Sequence, residues 1–293
     1  MSVVVASAAG GEFLFRCLAS LAGQVERAGA ELLVVDRAGP TVRERIARDF
    51  PAVRVIPASP NAATVPAMRA AGALHARGDI VAVLEEHCTA PEGWLATIGA
   101  QFTEDDAAIG GPILDSAFPR VRDWVVYFSE YHDYLPPWRD GDHYPLNGAN
   151  IAYDRRRLLR HAEVLADGYW EVVLHPRLAR DGRFRAVNAM GAHHTGPFTY
   201  GYYLRQRYLL SRSWGGARRH DVSSATRWTY MMLAPLLPLL LFTRATRNVM
   251  PRRAMLRRFV PALPLLVPVW LAYAWGEWLG YAIGPGRALE LVE

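Results

Sequence analysis

The sequence predicts an α/β fold: a mostly parallel sheet flanked by helices, followed by an apolar helical region. Short apolar stretches alternate with segments of helical periodicity over residues 1–113, a pattern typical of parallel sheets with crossover helices. The composition changes near residue 214, beyond which arginines and long apolar runs dominate. We therefore expect an α/β domain over residues 1–214 and a membrane-associated helical region over residues 215–293.

The predicted strands are short, apolar and rich in β-branched residues. They cover residues 3–7, 31–36, 53–56, 80–84, 107–113 and 184–195. Helical spacing of apolar residues is found at 13–23, 42–50, 65–76, 94–102 and 123–134. Two strands end in a carboxylate, at Asp36 and Glu85. In an open parallel sheet these strand ends meet at the edge where ligands bind.

The most informative stretch is residues 78–88, in which an apolar run leads directly into an acidic and imidazole cluster. Residues 80–84 are the buried strand, and Glu85, Glu86 and His87 follow it. Carboxylate oxygens with one imidazole suit Mn²⁺ or Mg²⁺, and such an ion can hold a diphosphate. A solvated strand end is the alternative interpretation of the same residues.

Several classes of protein are disfavoured by what the sequence lacks. No Gly-x-Gly-x-x-Gly follows the first strand and no Walker A lysine motif is present, which argues against a dinucleotide fold and a P-loop enzyme. The two cysteines, Cys17 and Cys88, form neither a disulfide framework nor a zinc pattern. The N-terminus has no charged region before its short apolar run, so we expect no signal peptide.

Charge is distributed unevenly along the chain. All 33 basic residues are arginines, and the net charge is +5. Residues 205–258 hold twelve arginines and one acid, Asp221, for a net charge of +11, which leaves −6 for the remainder. A basic block beside apolar runs favours an anionic membrane surface over nucleic acid as the partner.

The order of these signals resembles the family 2 glycosyltransferases, which have the GT-A fold. The resemblance covers residues 1–214 and rests on four features. They are the opening strand at 3–7, the strand that ends in Asp36, the helix that carries Arg69, and the segment 76–87. This last segment is similar to the family's pattern A-x-G-D, five apolar residues, D-x-D.

The resemblance implies a site for a nucleotide diphosphate sugar at the sheet edge. Its donor-binding residues are expected to be Ser7, Asp36, Arg69, Glu86 and Arg207. Asp36 would lie near the nucleoside and Arg69 near the diphosphate. Because Ala8 and Ala9 replace a commonly polar loop, nucleotide contacts there are expected from backbone groups. Arg207 or Arg212 is suited to a diphosphate or to an anionic lipid phosphate.

A divalent ion, Mn²⁺ or Mg²⁺, is implied by the same resemblance. Glu85 and His87 stand where the family has two metal-binding aspartates, and the longer arm of Glu leaves Glu85 or Glu86 as the ligand. His194 is expected as a third ligand, with His193 as its rival. The ion would stabilise the leaving diphosphate.

The acceptor side is implied by two later motifs. Gly148 and Asn150 match the family's G-x-N pattern, although a turn that enters a strand uses the same residues. Trp170, also assigned to the acceptor side, and Glu171 align with the family's E-D pair, which makes Glu171 the catalytic base. One carboxylate is enough for an inverting transfer, because it takes the proton of the attacking hydroxyl.

The C-terminal region carries two apolar segments separated by arginines. Residues 229–242 are too short to span a bilayer, which needs about 20 residues, and residues 259–283 are long enough but contain prolines. A basic connecting loop favours the cytoplasmic side. We expect a first segment that is re-entrant or interfacial and a second that dips in or spans. Buried helices of a soluble domain, or an interface between copies of the chain, are the alternatives.

Together these observations predict an inverting, metal-dependent hexosyltransferase on the cytoplasmic face of a membrane. Its acceptor would be lipid-linked or membrane-proximal, as in the synthesis of cell-envelope polysaccharides or glycolipids. One alternative is a non-catalytic membrane-associated scaffold that retains the fold. Another is a nucleotidyltransferase, which needs a glycine-rich loop with a basic residue after the first strand. Gly10, Gly11 and Arg16 are a poor version of such a loop.

Overall fold

The computed structural model describes residues 1–59, 64–116, 118–167, 173–195 and 198–292. The chain divides into two compact units. The first comprises Met1–Ser116 and Pro136–Gly196, and the second comprises Ala117–Leu135 and Pro197–Glu293. The domain boundary expected at residue 214 falls inside the second unit. The helices Val121–Tyr131 and Tyr200–Arg218, which begin before that residue, both belong to this unit.

The strands and helices are numbered here in chain order. The strands are β1 (Ser2–Ser7), β2 (Glu31–Asp36), β3 (Arg54–Pro57), β4 (Ile80–Leu84), β5 (Cys88–Thr89), β6 (Asp106–Gly110), β7 (Ile113–Leu114), β8 (Gly141–Asp142), β9 (Asn150–Asp154), β10 (Arg183–Ala186) and β11 (Ala192–His194). The helices are α1 (Glu12–Arg27), α2 (Pro40–Asp49), α3 (Val65–His75), α4 (Trp94–Gln101), α5 (Val121–Tyr131), α6 (Arg155–Leu159), α7 (Ala162–Asp167), α8 (His175–Leu178), α9 (Tyr200–Arg218), α10 (Ser224–Leu233), α11 (Leu237–Val249) and α12 (Arg253–Ile283).

The first unit is built on an eight-stranded sheet with the order β3–β2–β1–β4–β9–β6–β10–β8. Strands β8 and β9 run antiparallel to their neighbours, and the other six strands share one direction. The alternating strands and helices from β1 to β4 produce the parallel half, since each crossover helix returns the chain to the same end of the sheet. The prediction of a mostly parallel α/β sheet is therefore confirmed.

Apolar side chains cover both faces of this sheet. On one face Val3 and Val5 of β1 belong to a cluster with Leu18 of α1 and Trp94 of α4. On the other face Met68 of α3 packs against Val35 near the end of β2. Strands buried on both faces read as continuous apolar runs, which is why β2 and β4 were predicted with their observed bounds.

A second, three-stranded sheet has the order β5–β11–β7. Two stretches that were each expected to form one strand instead contribute one strand to the large sheet and one to this small sheet. The stretch 107–113 is split between β6 and β7 at Gly111, where a Cβ would stand 1.9 Å from the Met190 carbonyl oxygen. The stretch 184–195 is split between β10 and β11 by the 3₁₀ turn Asn188–Met190. Both expectations of a single strand were wrong, because the chain turns here from the large sheet into the small one.

The second unit is helical, and α12 packs against α9, α5 and α11. Helices α9 and α12 approach closely at glycines. A Cβ on Gly276 would stand 2.2 Å from Ser211 Oγ, and one on Gly280 would stand 2.4 Å from the Arg212 carbonyl oxygen. Farther along the unit, the rings of Phe128 and Phe259 meet edge to face at 5.1 Å.

Helices α10 and α11 join through the 3₁₀ turn Ala234–Leu236 into a helical stretch of 26 residues, Ser224–Val249. The length argument against a crossing was therefore wrong, because the helix continues beyond both ends of the apolar run 229–242. Pro235 and Pro238 lie in the first turns of their helical segments, where a missing N–H costs little. By length and composition, Ser224–Val249 and Arg253–Ile283 are each able to cross a membrane.

Candidate active site

Most of the predicted site residues lie at the edge where the carboxyl ends of β1, β2 and β4 meet. Ser7 ends β1 and Asp36 ends β2, and the two residues are paired in the sheet register. Glu85 follows β4, and its N–H donates to the Ala149 carbonyl oxygen at 2.9 Å. Parallel pairing brings these residues together, as the carboxylate-ended strands predicted.

Asp36 is buried and accepts four hydrogen bonds. Its Oδ1 accepts from Ser7 Oγ at 2.9 Å and from the Ala38 N–H at 3.1 Å. Its Oδ2 accepts from the Gly39 N–H at 3.1 Å and from Arg43 Nη1 at 3.0 Å. The carboxylate therefore fixes Ser7 and the turn into α2, while Arg43 compensates its buried charge. Sequence reasoning missed Arg43, because its contact with Asp36 depends on how α2 packs beside the end of β2, which periodicity does not reveal.

Glu86 is only 3% exposed and faces the loop after β1. Its Oε1 accepts hydrogen bonds from the Ala8 N–H at 3.0 Å and from the Ala9 N–H at 3.1 Å. The N–H groups of Ala8 and Ala9 are therefore engaged by Glu86, and the expectation that backbone groups of this loop contact the nucleotide stays a prediction. Burial raises the pKa of Glu86, although His87 and the loop amides oppose the shift. Its Oε2 is buried and has no hydrogen-bond partner among the described residues.

The two candidate histidine ligands lie on adjacent segments of chain. His194 pairs with Cys88 in the small sheet, and the carbonyl oxygen of His87 accepts from the Thr195 N–H at 2.7 Å and from Thr195 Oγ1 at 2.8 Å. The ring of His87 lies 5.4 Å from the ring of Phe13. The sequence did not single out Thr195 or Phe13, because both act through a strand pairing that periodicity alone does not reveal.

The donor set at this edge has the chemistry of a divalent-metal site but not a preformed geometry. Glu85, His87 and His194 offer oxygen and imidazole ligands that suit Mn²⁺ or Mg²⁺. Within the part of the chain that the structure describes, no three His, Cys, Asp or Glu side chains converge into a metal cluster. His193, the rival of His194, directs its Nδ1 to the Asp115 carbonyl oxygen at 2.7 Å.

The two predicted donor-binding arginines lie in different units. Arg69 is buried on α3, next to Met68, which packs near the ends of β1 and β2. Arg207 lies on α9 in the second unit, where its Nη2 is 3.2 Å from Glu130 Oε1 and its Cζ is 5.1 Å from the Tyr203 ring. Burial acts to lower the pKa of Arg207, but Glu130 and the neighbouring tyrosines together outweigh it, so the pKa is raised. The donor-binding role of both arginines stays a prediction.

Among the residues assigned to the acceptor side, Asn150 makes hydrogen bonds that stabilise the core of the first unit. Gly148 lies in the turn before β9, and the Asn150 side chain is fully buried. Its Oδ1 accepts from Trp94 Nε1 at 3.0 Å and its Nδ2 donates to the Met190 carbonyl oxygen at 2.7 Å. Asn150 therefore ties β9 to α4 and to the 3₁₀ turn before β11. The acceptor-side role stays a prediction, and Trp170 and Glu171 lie outside the described residues.

A cavity of about 590 Å³ opens at the opposite edge of the sheet. Asp79, which precedes β4, and Asp154, which ends β9, line it together with Arg155, Arg156 and Arg160 of α6 and the turn after it. None of the predicted site residues lines this cavity. The predicted donor and metal site at the carboxyl edge is therefore separate from this cavity.

Residues 2–162 of the chain match the model of glycosyl transferase family 2. The chain belongs to glycosyl transferase family 2. It is 36% identical over 89 residues to polypeptide N-acetylgalactosaminyltransferase 12 of Mus musculus. That match covers 29% of this chain and only 14% of the mouse protein.

Two solved structures resemble this family 2 chain along almost its whole length. Mannosyltransferase PcManGT from Pyrobaculum calidifontis, in complex with GDP-Man and Mn²⁺, has a TM-score of 0.53 at 16% identity, and the match covers 96% of this chain and 85% of that one. Residues 1–349 of TarS from S. aureus have a TM-score of 0.50 at 14% identity, with coverage of 97% and 91%. These likenesses confirm the GT-A fold, and the family match confirms the assignment as a glycosyltransferase.

Proposed function

We propose that this enzyme transfers a hexosyl group, with inversion, from a nucleotide diphosphate sugar to a lipid-linked or membrane-proximal acceptor. The observation that carries the proposal is the meeting of Ser7, Asp36 and the segment Glu85–His87 at the carboxyl edge of the sheet. Nucleotides bind at this edge in open α/β sheets. The GDP-Man in the PcManGT structure supports the donor class.

In this proposal the donor lies along the ends of β1, β2 and β4. Asp36 faces the nucleoside, and Arg69 serves the diphosphate because a guanidinium presents several donors to phosphate oxygens. Glu86 fixes the loop that the donor meets by holding the Ala8 and Ala9 amides.

Glu85, His87 and His194 would supply part of the ligand set of a bound Mn²⁺ or Mg²⁺. The donor diphosphate would complete the set, since such ions are commonly held by one or two protein side chains together with substrate phosphates. When bound, the ion neutralises charge on the leaving diphosphate. The Mn²⁺ in the PcManGT structure supports this choice of metal.

The acceptor hydroxyl attacks the anomeric carbon from the face opposite the diphosphate, so a C–O bond forms as the bond to the diphosphate oxygen breaks. Glu171 takes the proton of that hydroxyl, and the electron pair of the broken bond leaves with the diphosphate. Gly148, Asn150 and Trp170 are proposed to border the acceptor.

We infer that the second unit associates with the cytoplasmic face of a membrane. Two helices long and apolar enough to cross a bilayer, with a basic connection between them, support this localisation. An acceptor that is itself lipid-linked, as in the synthesis of envelope glycans or glycolipids, fits an enzyme placed there.

The base assignment is tested by Glu171→Gln in the full chain, with Glu163→Gln as the matched exposed control on α7. We expect Glu171→Gln to lower kcat about 10²- to 10⁴-fold, because general-base catalysis contributes that much, while donor affinity stays unchanged. The measurement is sugar transfer and donor hydrolysis across a panel of nucleotide sugars, with and without Mn²⁺.

Unchanged transfer by Glu171→Gln would remove Glu171 from the mechanism. If the unsubstituted chain binds a nucleotide diphosphate but transfers no sugar from any donor, the non-catalytic scaffold is the better description.

A further inference from the structure

The large apolar side chains exposed on the second unit are concentrated on α10, α11 and α12. On α10 and α11 they include Met232, which is 74% exposed, and Leu239, which is 61% exposed. On α12, Val267, Leu271 and Trp275 recur every four residues and form one exposed stripe. A surface of this extent has to be covered by apolar material, because monomeric soluble proteins rarely expose contiguous apolar patches larger than a few hundred Å².

From the start of α10 to Gly276 of α12 the charges all have one sign, and the one acid of these helices, Glu277, lies beyond that range beside Arg218 of α9, with Arg218 Nη1 3.6 Å from Glu277 Oε1. Residues 222–276 contain seven arginines and no aspartate or glutamate. Six of the arginines lie between Arg244 and Arg258, a segment that we name the basic turn, where α11 ends and α12 begins. A covering surface that is apolar beside the helices and anionic beside the basic turn satisfies both features.

Three arginines of the basic turn are bound within the unit. Arg244 pairs with Asp133, with Nη2 2.8 Å from Oδ2. Arg252 donates to the Leu135 carbonyl oxygen at 3.0 Å, and Arg258 lies 5.5 Å from the ring of Trp124.

The other three arginines, Arg247, Arg253 and Arg257, are exposed and make no ion pair or side-chain hydrogen bond within the described residues. They are therefore the arginines able to bind an external anion. Met250, which lies among them, is 61% exposed, so the same turn also presents an apolar side chain.

We propose that the basic turn binds the phosphate headgroups of anionic phospholipids through Arg247, Arg253 and Arg257, while the exposed apolar side chains of α10–α12 enter the acyl region. A guanidinium presents a fork of donors that matches a phosphate. A lipid surface is favoured over a second copy of the chain, because a second copy would place the same uncompensated arginines on both sides of the contact. The inference rests on the proposed membrane association and not on the transfer chemistry.

The prolines of α12 support a shallow position for its first half. Pro261, Pro264 and Pro268 lie on exposed positions and have no N–H to donate to the carbonyl oxygens four residues earlier. In hydrocarbon an unpaired carbonyl is costly, whereas at headgroup depth water and arginine side chains can reach it. The first half of α12 thus suits the same depth as the basic turn.

The test is flotation of the full chain, diluted from detergent, with phosphatidylcholine vesicles that either contain or lack phosphatidylglycerol. The variant is Arg247→Gln/Arg253→Gln/Arg257→Gln. The control, Arg156→Gln/Arg160→Gln/Arg180→Gln, removes the same charge from exposed arginines of the first unit. Each arginine at an anionic surface is worth about fivefold in binding, so the variant should lose on the order of a hundredfold of the preference for phosphatidylglycerol vesicles.

We expect the unsubstituted chain and the control to prefer phosphatidylglycerol vesicles, more strongly at low salt, because headgroup attraction is screened. The variant should still bind phosphatidylcholine vesicles through its apolar surface. The proposal is overturned if the variant keeps the preference, if the control loses it equally, or if the unsubstituted chain has none. A chain that binds neither vesicle and forms stable oligomers without detergent would show that copies of itself cover the surface. Sugar-transfer activity is not the readout, so failure here is distinct from failure of the proposed reaction.

Discussion

Glu86 is the side chain on which the loop after β1 depends. In the sequence Glu86 is the middle residue of the segment Glu85–His87, whose two outer residues stand at the family's metal-binding positions. In the structure its carboxylate turns back and accepts the N–H groups of Ala8 and Ala9. The loop after β1, in which alanines replace polar residues, is thus ordered by the Glu86 carboxylate, which comes 78 positions after Ala8 and 77 after Ala9.

We expect Glu86→Ala to destabilise the first unit and weaken donor binding. The buried Ala8 N–H that loses its acceptor costs about 1–3 kcal/mol, and the less buried Ala9 N–H, which water can reach, adds less. Glu86→Gln keeps a side-chain oxygen at this position and should stay closer to the unsubstituted protein. The checks are the thermal unfolding midpoint and the calorimetric affinity for a nucleotide diphosphate. Glu104→Ala, at an exposed site, is the control, and unchanged stability and affinity in the Glu86→Ala protein would refute the role.

The sequence identified single residues where a strand end made them conspicuous. Asp36 and Glu85 were placed correctly at the sheet edge, because a carboxylate directly after a buried apolar run marks the point where the strand leaves the core. Arg43 and Thr195 were not, since their contacts depend on where a helix begins and on which strand pairs with which. Asn150 was noticed for its spacing, yet its amide holds the core together.

Helices α9 and α12 pack closely because glycines of α12 carry no side chain where they face α9. Gly276 faces Ser211 Oγ and the Tyr208 carbonyl oxygen, which a Cβ would meet at 2.2 and 2.3 Å. Because one of the two obstacles is backbone, it cannot move aside as a flexible side chain would.

We predict opposite effects for the same substitution at two glycines. Gly276→Ala should destabilise the second unit by about 1–3 kcal/mol, as overpacking does. Gly201→Ala, on α9, meets no atom within 4 Å and should be neutral or stabilising by up to about 1 kcal/mol. Thermal unfolding in detergent compares the two, and an equal response at both positions would refute the close contact.

Strands and helices were predicted well where a local pattern of apolar residues determines them. They were predicted poorly where contacts with distant parts of the chain determine them. Strands β2 and β4 were found to the residue, because uninterrupted apolar runs end sharply at polar residues. The break between β10 and β11 was missed, since it arises when a 3₁₀ turn redirects the chain toward a different sheet. Periodicity records which residues are apolar but not which partner covers them.

The bounds of the two units differ from the single boundary that the sequence indicates at residue 214. Helix α5 lies between β7 and β8 in the chain, yet it packs with α12, about 130 residues later in sequence. No composition change marks that excursion, whereas the change near residue 214 reflects only where apolar runs become long. The composition therefore located the region that holds the two long apolar helices but not the start of the second unit.

For the whole chain we predict firm retention in the membrane fraction of expressing cells. High salt and alkaline washing should leave it there, because the exposed side chains of α10–α12 are apolar, and detergent should release it. Immunoblotting of the washed fractions, with a cytosolic enzyme as marker, measures this. Release by salt alone would mean that the arginines act without insertion of the apolar surface.

The position of β9 has a consequence for how the protein is made. This strand fills the space between β4 and β6, but its first residue, Asn150, is synthesised forty positions after β6 ends at Gly110. Until it emerges from the ribosome, β4 and β6 each present an unpaired edge that is prone to join foreign strands. A chaperone that shields nascent chains over this interval should therefore raise the yield of folded enzyme more than one supplied after translation is complete.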